Sequence, residues 1–193
     1  GQSAAALEPA ERDVTVLFCD LRGFSKRSET LQHDLLMLLK SVSEALGVMA
    51  EGVLGLDGAI ADFQGDAILG FWGWPLPHPE GPLPACRAAL RIDAEFRRVN
   101  AVGHELLKGL TCGVGIAYGT ALAGKIGTDR QSKIGVFGPV VDLGSRLESL
   151  TKQFGVSICL DEAAAIFVRE RLPASEGRLR KLARVRAKGL DTP

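Results

Sequence analysis

Residues 14–19, Val-Thr-Val-Leu-Phe-Cys, form an unbroken β-branched and aromatic run that stops at Asp20, with Gly23 just beyond. This pattern predicts a buried strand that enters a tight loop at a carboxylate. From about residue 29 to 54 the period changes, with Leu31, Leu35, Leu39, Val42, Leu46, Met49 and Val53 at helical spacing. One long amphipathic helix is expected there, closed by Gly55 and Gly58. Residues 59–63 and 67–72 are short strand-like runs on either side of Gln64-Gly65-Asp66, which predicts a hairpin with Asp66 at its tip. Residues 73–84 carry five prolines and must form a loop, since each ring removes a backbone donor and restricts its neighbour. A second helix fits residues 85–100.

Residues 111–118 and 134–137 read as further strands, joined by a link that contains Gly119, Gly124 and Gly127. Pro139 suits the first turn of a helix that runs to about residue 154, with Val140, Leu143, Leu147 and Leu150 on its apolar side. Residues 156–160 form another strand, and Asp161 is placed to cap a short helix ending near residue 171. Strands and helices alternate irregularly and hairpins interrupt them. The pattern predicts an α+β fold with a ferredoxin-like centre: a mixed or antiparallel sheet flanked by helices, expected on one face. Residues 1–11, headed by the scar-like Gly1-Gln2-Ser3, read as a linker. Residues 12–193 read as one domain whose C-terminal tail is cut short, with regulatory domains expected elsewhere in the full-length protein.

Composition narrows the function classes. Apolar residues make up 46% of the 193 and charged ones 24%, ordinary for a soluble domain with a sizeable core. Lys plus Arg and Asp plus Glu balance at 23 each, so no global field recommends a nucleic-acid or membrane partner. No apolar run approaches the roughly 20 residues that span a bilayer, and no signal-peptide layout is present. A cytoplasmic setting is therefore expected. Cys19, Cys86, Cys112 and Cys159 lack C-x-x-C spacing and read as reduced core residues, and His33, His78 and His104 lack zinc-ligand spacing. The eight basic residues from Arg169 to Lys188 read as a solvated face, with a phosphate contact as the alternative.

Asp20 ends a strand and Asp66 sits on a hairpin tip, so adjacent strands could hold both carboxylates together. Such a pair suits Mg²⁺ or Mn²⁺, which prefer oxygen ligands and share carboxylates with substrate phosphates. Taken singly, each aspartate is equally well explained as the stabiliser of its own turn.

The run Val16-Leu17-Phe18-Cys19-Asp20-Leu21-Arg22-Gly23-Phe24-Ser25 resembles the first metal motif of class III adenylate and guanylate cyclases. Phe63-Gln64-Gly65-Asp66-Ala67-Ile68-Leu69-Gly70-Phe71-Trp72-Gly73 resembles the second. Val114 to Gly119 and Ala123 to Gly127 resemble the central strands, and Phe137 to Glu148 the helix that carries the transition-state arginine. The resemblance covers roughly residues 12–193, in family order.

It implies in-line attack of a ribose 3′-hydroxyl on the α-phosphorus of a nucleoside triphosphate, with pyrophosphate leaving. Two divalent cations, Mg²⁺ or Mn²⁺, about 3.5–4 Å apart, would serve the two ends of that displacement. Asp20, Asp66 and the Leu21 carbonyl are the implied metal ligands. Arg146 matches the arginine that holds the α-phosphoryl oxygens, although pairing with Asp142, four residues earlier, would equally explain it. Asp62 and Gly135 match the base-selecting positions, and Lys188 matches a lysine that contacts the triphosphate. The resemblance further implies a homodimer with shared sites, the metal aspartates coming from one protomer and the arginine helix from the other.

The chain departs from the family pattern in three places. Asp142 stands where an asparagine usually orients the ribose, and its carboxylate accepts hydrogen bonds but cannot donate them. Asp62 stands where adenylate cyclases carry lysine and guanylate cyclases glutamate. An acceptor there suits guanine, whose N1 and N2 donate, although Asp62 could equally point away as an edge-strand charge. Gly135 offers no side chain for readout. These departures keep a second reading open, a degenerate cyclase domain that binds nucleotide or dimerises as a regulatory module. A diguanylate cyclase would carry Gly-Gly and two acidic residues at the hairpin tip, and Gln64-Gly65-Asp66-Ala67 does not match it.

Overall fold

The computed structural model describes residues 8–128 and 130–182. The elements follow the order β1 (Ala10–Arg22), α1 (Phe24–Thr30), α2 (Leu35–Leu54), β2 (Ala59–Gln64), β3 (Ala67–Trp72), α3 (Leu83–Ala101), β4 (Thr111–Gly127), β5 (Ser132–Phe137), α4 (Pro139–Phe154), β6 (Ile158–Leu160) and α5 (Glu162–Arg169). The sheet order is β2-β3-β1-β4-β5, and β6 also pairs with β4. All pairs are antiparallel except β4 with β6, so the sheet is mixed. β1 lines one edge of β4 from Ala10↔Ala123 to Arg22↔Thr111. The other edge is shared, by β6 at residues 114–116 and by β5 at residues 122–127.

The two faces of the sheet carry two cores. Leu17, Cys19, Leu21, Ile68, Trp72, Val114 and Ile116 pack with Met49, Ile92, Phe96 and Val168 from α2, α3 and α5. Val14, Val16, Leu69, Phe71 and Ala117 alternate onto the opposite face with Val140 of α4, as period-2 side chains must. The expectation of helices on one face is therefore corrected, because α4 covers the other. Gly115 makes this possible: a Cβ there would lie 2.2 Å from both the Glu148 nitrogen and the Gly144 carbonyl oxygen. Only a bare backbone lets the helix sit so close.

Other expectations change at the level of elements. The single helix over residues 29–54 is two helices, α1 and α2, separated by a turn. Asp34 starts α2 by accepting from the Met37 amide at 3.0 Å, an N-cap that satisfies one of the helix's orphan donors. The expected apolar face fails in the first turns, where Leu35 and Leu39 are 70% and 62% exposed in the single chain. Burial begins at Ser41, whose hydroxyl donates to the Leu106 carbonyl and accepts from Arg27 Nε at 2.9 Å. The glycine-containing link after Tyr118 is strand rather than loop, since β4 continues to Gly127 through pairing with β1 and β5.

Helix α4 begins at Pro139 as expected, and Asp161 caps α5 by accepting from the Ala164 amide at 3.0 Å. All four cysteines are free and buried. Burial pushes the Cys86 thiol up to about 12, and a hydrogen bond with Cys112, together with burial, raises Cys19 well above its usual range. These are inert packing thiols. Trp72 and Trp74, 2% and 6% exposed, belong to the cores.

Candidate active site

Strand β1 delivers Asp20 at the end of its buried run, where it pairs with Ala67 on β3 and Gly113 on β4. Residues 65 and 66 form the turn of the β2–β3 hairpin, and Gly65 takes a φ of 65° there, a conformation that favours glycine. The Leu21 amide donates to the Asp66 carbonyl at 3.2 Å, which ties the loop after β1 to the hairpin tip. Asp20 and Asp66 are thus brought together, as the sequence predicts.

Burial raises the Asp20 carboxyl above its ordinary range, and the neighbouring Asp66 charge raises it further. Two carboxylates in this relation resist being ionised together and are relieved by a cation. Lys152 of α4 already offers one, with Nζ 3.9 Å from Asp20 Oδ2. The donor set fits hard divalent ions. Among the described residues no three of His, Cys, Asp and Glu gather to hold a metal, so further ligands would come from the Leu21 carbonyl, water and substrate phosphates.

The sequence reading missed a polar cluster beside Asp20. Glu148 of α4 is 8% exposed, and its Oε1 has no hydrogen-bond partner among the described residues. Burial raises its carboxyl and the Asp20 charge raises it further. Arg22 donates to Thr151 Oγ1 and to the Val156 carbonyl at 3.3 Å, while its buried Nε has no partner among the described residues. The cluster joins the metal end of β1 to α4. A glutamate two residues after Arg146 gave no signal by itself, because its burial depends on Gly113 and Gly115 opposite.

Arg146 does not join this cluster. It precedes Glu148 by two residues, about 200° around the helix, is half-buried, and lines a cavity of about 910 Å³ with Leu143, Leu150, Ile158 and Ile166. Asp142 is exposed in the first turn of α4. Asp62 of β2 pairs with Lys133 of β5, the Nζ to Oδ2 distance being 2.5 Å. The hydrogen bond from Lys133 holds the Asp62 carboxyl below its ordinary range. Gly135 is buried, and a Cβ there would lie 2.7 Å from Ile126 Cδ1. Lys188 lies outside the described residues.

A curled mixed sheet with paired aspartates at one end and an arginine-bearing helix on its second face defines a cyclase homology domain. The model of the family described as adenylate and guanylate cyclase catalytic domain matches residues 7–171. The chain belongs to that family, as a class III adenylate/guanylate cyclase domain. It is 27% identical over 182 residues to adenylate cyclase 1 of Rhizobium meliloti strain 1021, covering 94% of this chain and 26% of that protein. It is 28% identical over 158 residues to an adenylate cyclase of Anabaena cylindrica, covering 79% of this chain and 30% of that one. The chain thus spans under a third of the length of these relatives. Among solved structures, the guanylyl cyclase Cya2 superposes with a TM-score of 0.81 at 28% identity, over 95% of this chain and 89% of that one. The adenylyl cyclase CyaB from P. aeruginosa shares the fold with a TM-score of 0.77 at 24% identity, over 97% and 93%. Among the described residues no helix is long and apolar enough to cross a membrane.

Proposed function

We propose that residues 12–193 form a cytoplasmic nucleotidyl cyclase domain that converts ATP or GTP into the 3′,5′-cyclic nucleotide and pyrophosphate for intracellular signalling. It would act as a homodimer with two shared sites. The observation that carries this reading is a division within one chain: Asp20 and Asp66 converge at the end of β1 and β3, while α4 turns Arg146 away from them. A second copy related by a twofold axis would bring its own Arg146 to the carboxylates. Leu122 and Phe137, cross-strand partners on β4 and β5, are 47% and 52% exposed and suit such an interface.

Asp20, Asp66 and the Leu21 carbonyl would hold two divalent cations, Mg²⁺ or Mn²⁺, which supply Lewis-acid activation of the 3′-hydroxyl and neutralise the leaving pyrophosphate. The 3′-hydroxyl gives up its proton to solvent and its oxygen bonds to the α-phosphorus, as the bond from that phosphorus to the bridging oxygen breaks and pyrophosphate leaves with that oxygen. Arg146 of the second copy holds the α-phosphoryl oxygens with a planar, permanently charged fork, where charge shifts during that exchange. Asp62 would accept from the base, Gly135 would add no side chain to its readout, and Lys188, outside the described residues, is assigned to the triphosphate by its motif position alone. Asp142 meets the ribose with an acceptor.

Separate incubations with ATP, GTP, CTP and UTP, in Mg²⁺ and in Mn²⁺, with products identified by mass spectrometry, test this. A cyclic purine nucleotide is expected. The exposed Asp142 carboxylate favours the second reading, a degenerate regulatory module, and absence of product from all four would leave that one standing.

A further inference from the structure

We propose that Lys152 is a positioning residue of its own chain's metal site, shared between Asp20 and Glu148, and that its ammonium leaves Asp20 for Glu148 when a divalent cation takes the Asp20 carboxylate. This rests on the cyclase reading and deepens it, by assigning the residue that regulates metal entry. Asp20 on β1 is the register partner of Gly113 on β4, and Glu148 Oε1 would lie 2.6 Å from a Cβ at Gly113. The two carboxylates are thus neighbours beneath α4. Lys152 stands four residues after Glu148, on the same face of the helix, and its Nζ lies 3.9 Å from Asp20 Oδ2. Burial raises both carboxyls above their ordinary range, and of the cations that oppose the rise Lys152 acts most strongly at each, ahead of Arg22. One ammonium therefore serves two carboxylates from two elements.

Two features make this ammonium exchangeable. The Lys152 side chain is 62% exposed and its contact with Asp20 is longer than a hydrogen bond, so little holds it there. Arg22, the other cation of the cluster, is by contrast fixed by Thr151 Oγ1 and the Val156 carbonyl. A second berth also stands ready. Glu148 is buried, and its Oε1 has no partner among the described residues. A buried carboxylate oxygen without a partner is costly, and a lysine at i, i+4 is well placed to relieve it.

Divalent-ion chemistry forces the choice between the two berths. A carboxylate binds a hard divalent ion at about 2.0–2.6 Å, so an ammonium left beside Asp20 would face a double positive charge at short range. Like charges that close repel, and Lys152 gives way. On Glu148 it neutralises the second carboxylate while the first is neutralised by the ion. Lys152 thus opposes metal entry, and Glu148 assists it by receiving the displaced ammonium.

The test measures Mn²⁺ binding to the intact chain without nucleotide, from the loss of the free-ion electron paramagnetic resonance signal. It compares the wild type with Lys152→Met, Lys152→Arg, Glu148→Gln and the double variant Lys152→Met/Glu148→Gln, with melting temperatures to show that each folds. Lys152→Met should bind Mn²⁺ about fivefold more tightly, the strength of a partly exposed ion pair, and Lys152→Arg should return the wild-type affinity. Glu148→Gln should weaken binding by a similar factor, because Lys152 then keeps to Asp20. Most of that loss should disappear in the double variant. A Lys152→Met affinity equal to or below that of the wild type overturns the proposal, and this exposed residue gives that answer even where Glu148→Gln fails to fold. An equal Glu148→Gln loss in both backgrounds also overturns it, leaving Glu148 a fixed charge. A wild type that binds no Mn²⁺ overturns it too, since Asp20 then holds no ion for Lys152 to yield to. If that protein also forms no cyclic nucleotide, the cyclase reading falls with it, so the two failures are distinguishable.

Discussion

The Leu21 amide donates to the Asp66 carbonyl at 3.2 Å, so a backbone hydrogen bond extends the β1–β3 ladder to the two segments that carry the candidate metal carboxylates. The geometry is held by main chain and does not depend on either carboxylate. Asp20→Asn and Asp66→Asn should therefore abolish cyclisation while the fold survives. Because burial and Asp66 raise the Asp20 carboxyl, its ionised form is disfavoured in the fold, and Asp20→Asn should not lower the melting temperature. Turnover near the wild-type level at saturating Mn²⁺ would remove both residues from the site.

The opposed directions of Glu148 and Arg146 on α4 imply complementation. Inactive Asp66→Asn and inactive Arg146→Ala chains, mixed and shown to form heterodimers, should recover activity. One of their two sites then has a full residue set. Heterodimers without activity would mean that each chain builds its own site.

Asp142 lies in the first turn of α4, where a carboxylate favours the helix dipole by about 0.3–1 kcal/mol but repels an incoming triphosphate. Asp142→Asn should raise kcat/KM roughly tenfold, about 1.4 kcal/mol of transition-state stabilisation. Thermal denaturation should show the small loss of stability from the weakened dipole contact. A slower variant would make Asp142 a working residue of the site.

Asp161, the N-cap of α5, provides a pH test. Its carboxylate accepts from the Ala164 amide at 3.0 Å and the Tyr118 amide at 3.3 Å, yet burial pushes its pKa up to about 6. The folded state therefore holds this proton more tightly than the unfolded chain. The stabilisation is complete below the usual aspartate pKa near 4 and is lost as pH rises through about 6, a swing approaching ~3 kcal/mol. Denaturant titrations between pH 4 and 7 should show the wild type losing stability relative to Asp161→Asn as pH rises. A constant difference would mean that Asp161 titrates normally.

Local rules made much of this molecule legible. The run ending at Asp20, the Gly65-Asp66 turn, Pro139 at the start of α4 and Asp161 at the cap of α5 each depend on a few adjacent residues. Period-2 and period-3.6 patterns report such features directly. The motif positions placed Asp20 and Asp66 together because β1 and β3 are held in register by their own hydrophobic alternation.

What the sequence could not determine depended on partners far along the chain. Gly119 and Gly124 look like loop residues until β1 and β5 supply the hydrogen bonds that keep β4 extended. Leu35 and Leu39 continue a helical stripe, but only tertiary packing decides that the buried face starts at Ser41. Gly115 hides the face that α4 occupies, and with it the burial of Glu148 and the outward turn of Arg146. The Asp62–Lys133 pair exists because a twisted sheet curls its edges into contact. Periodicity records which side chains share a face; which faces and edges meet is decided by close packing over the whole chain.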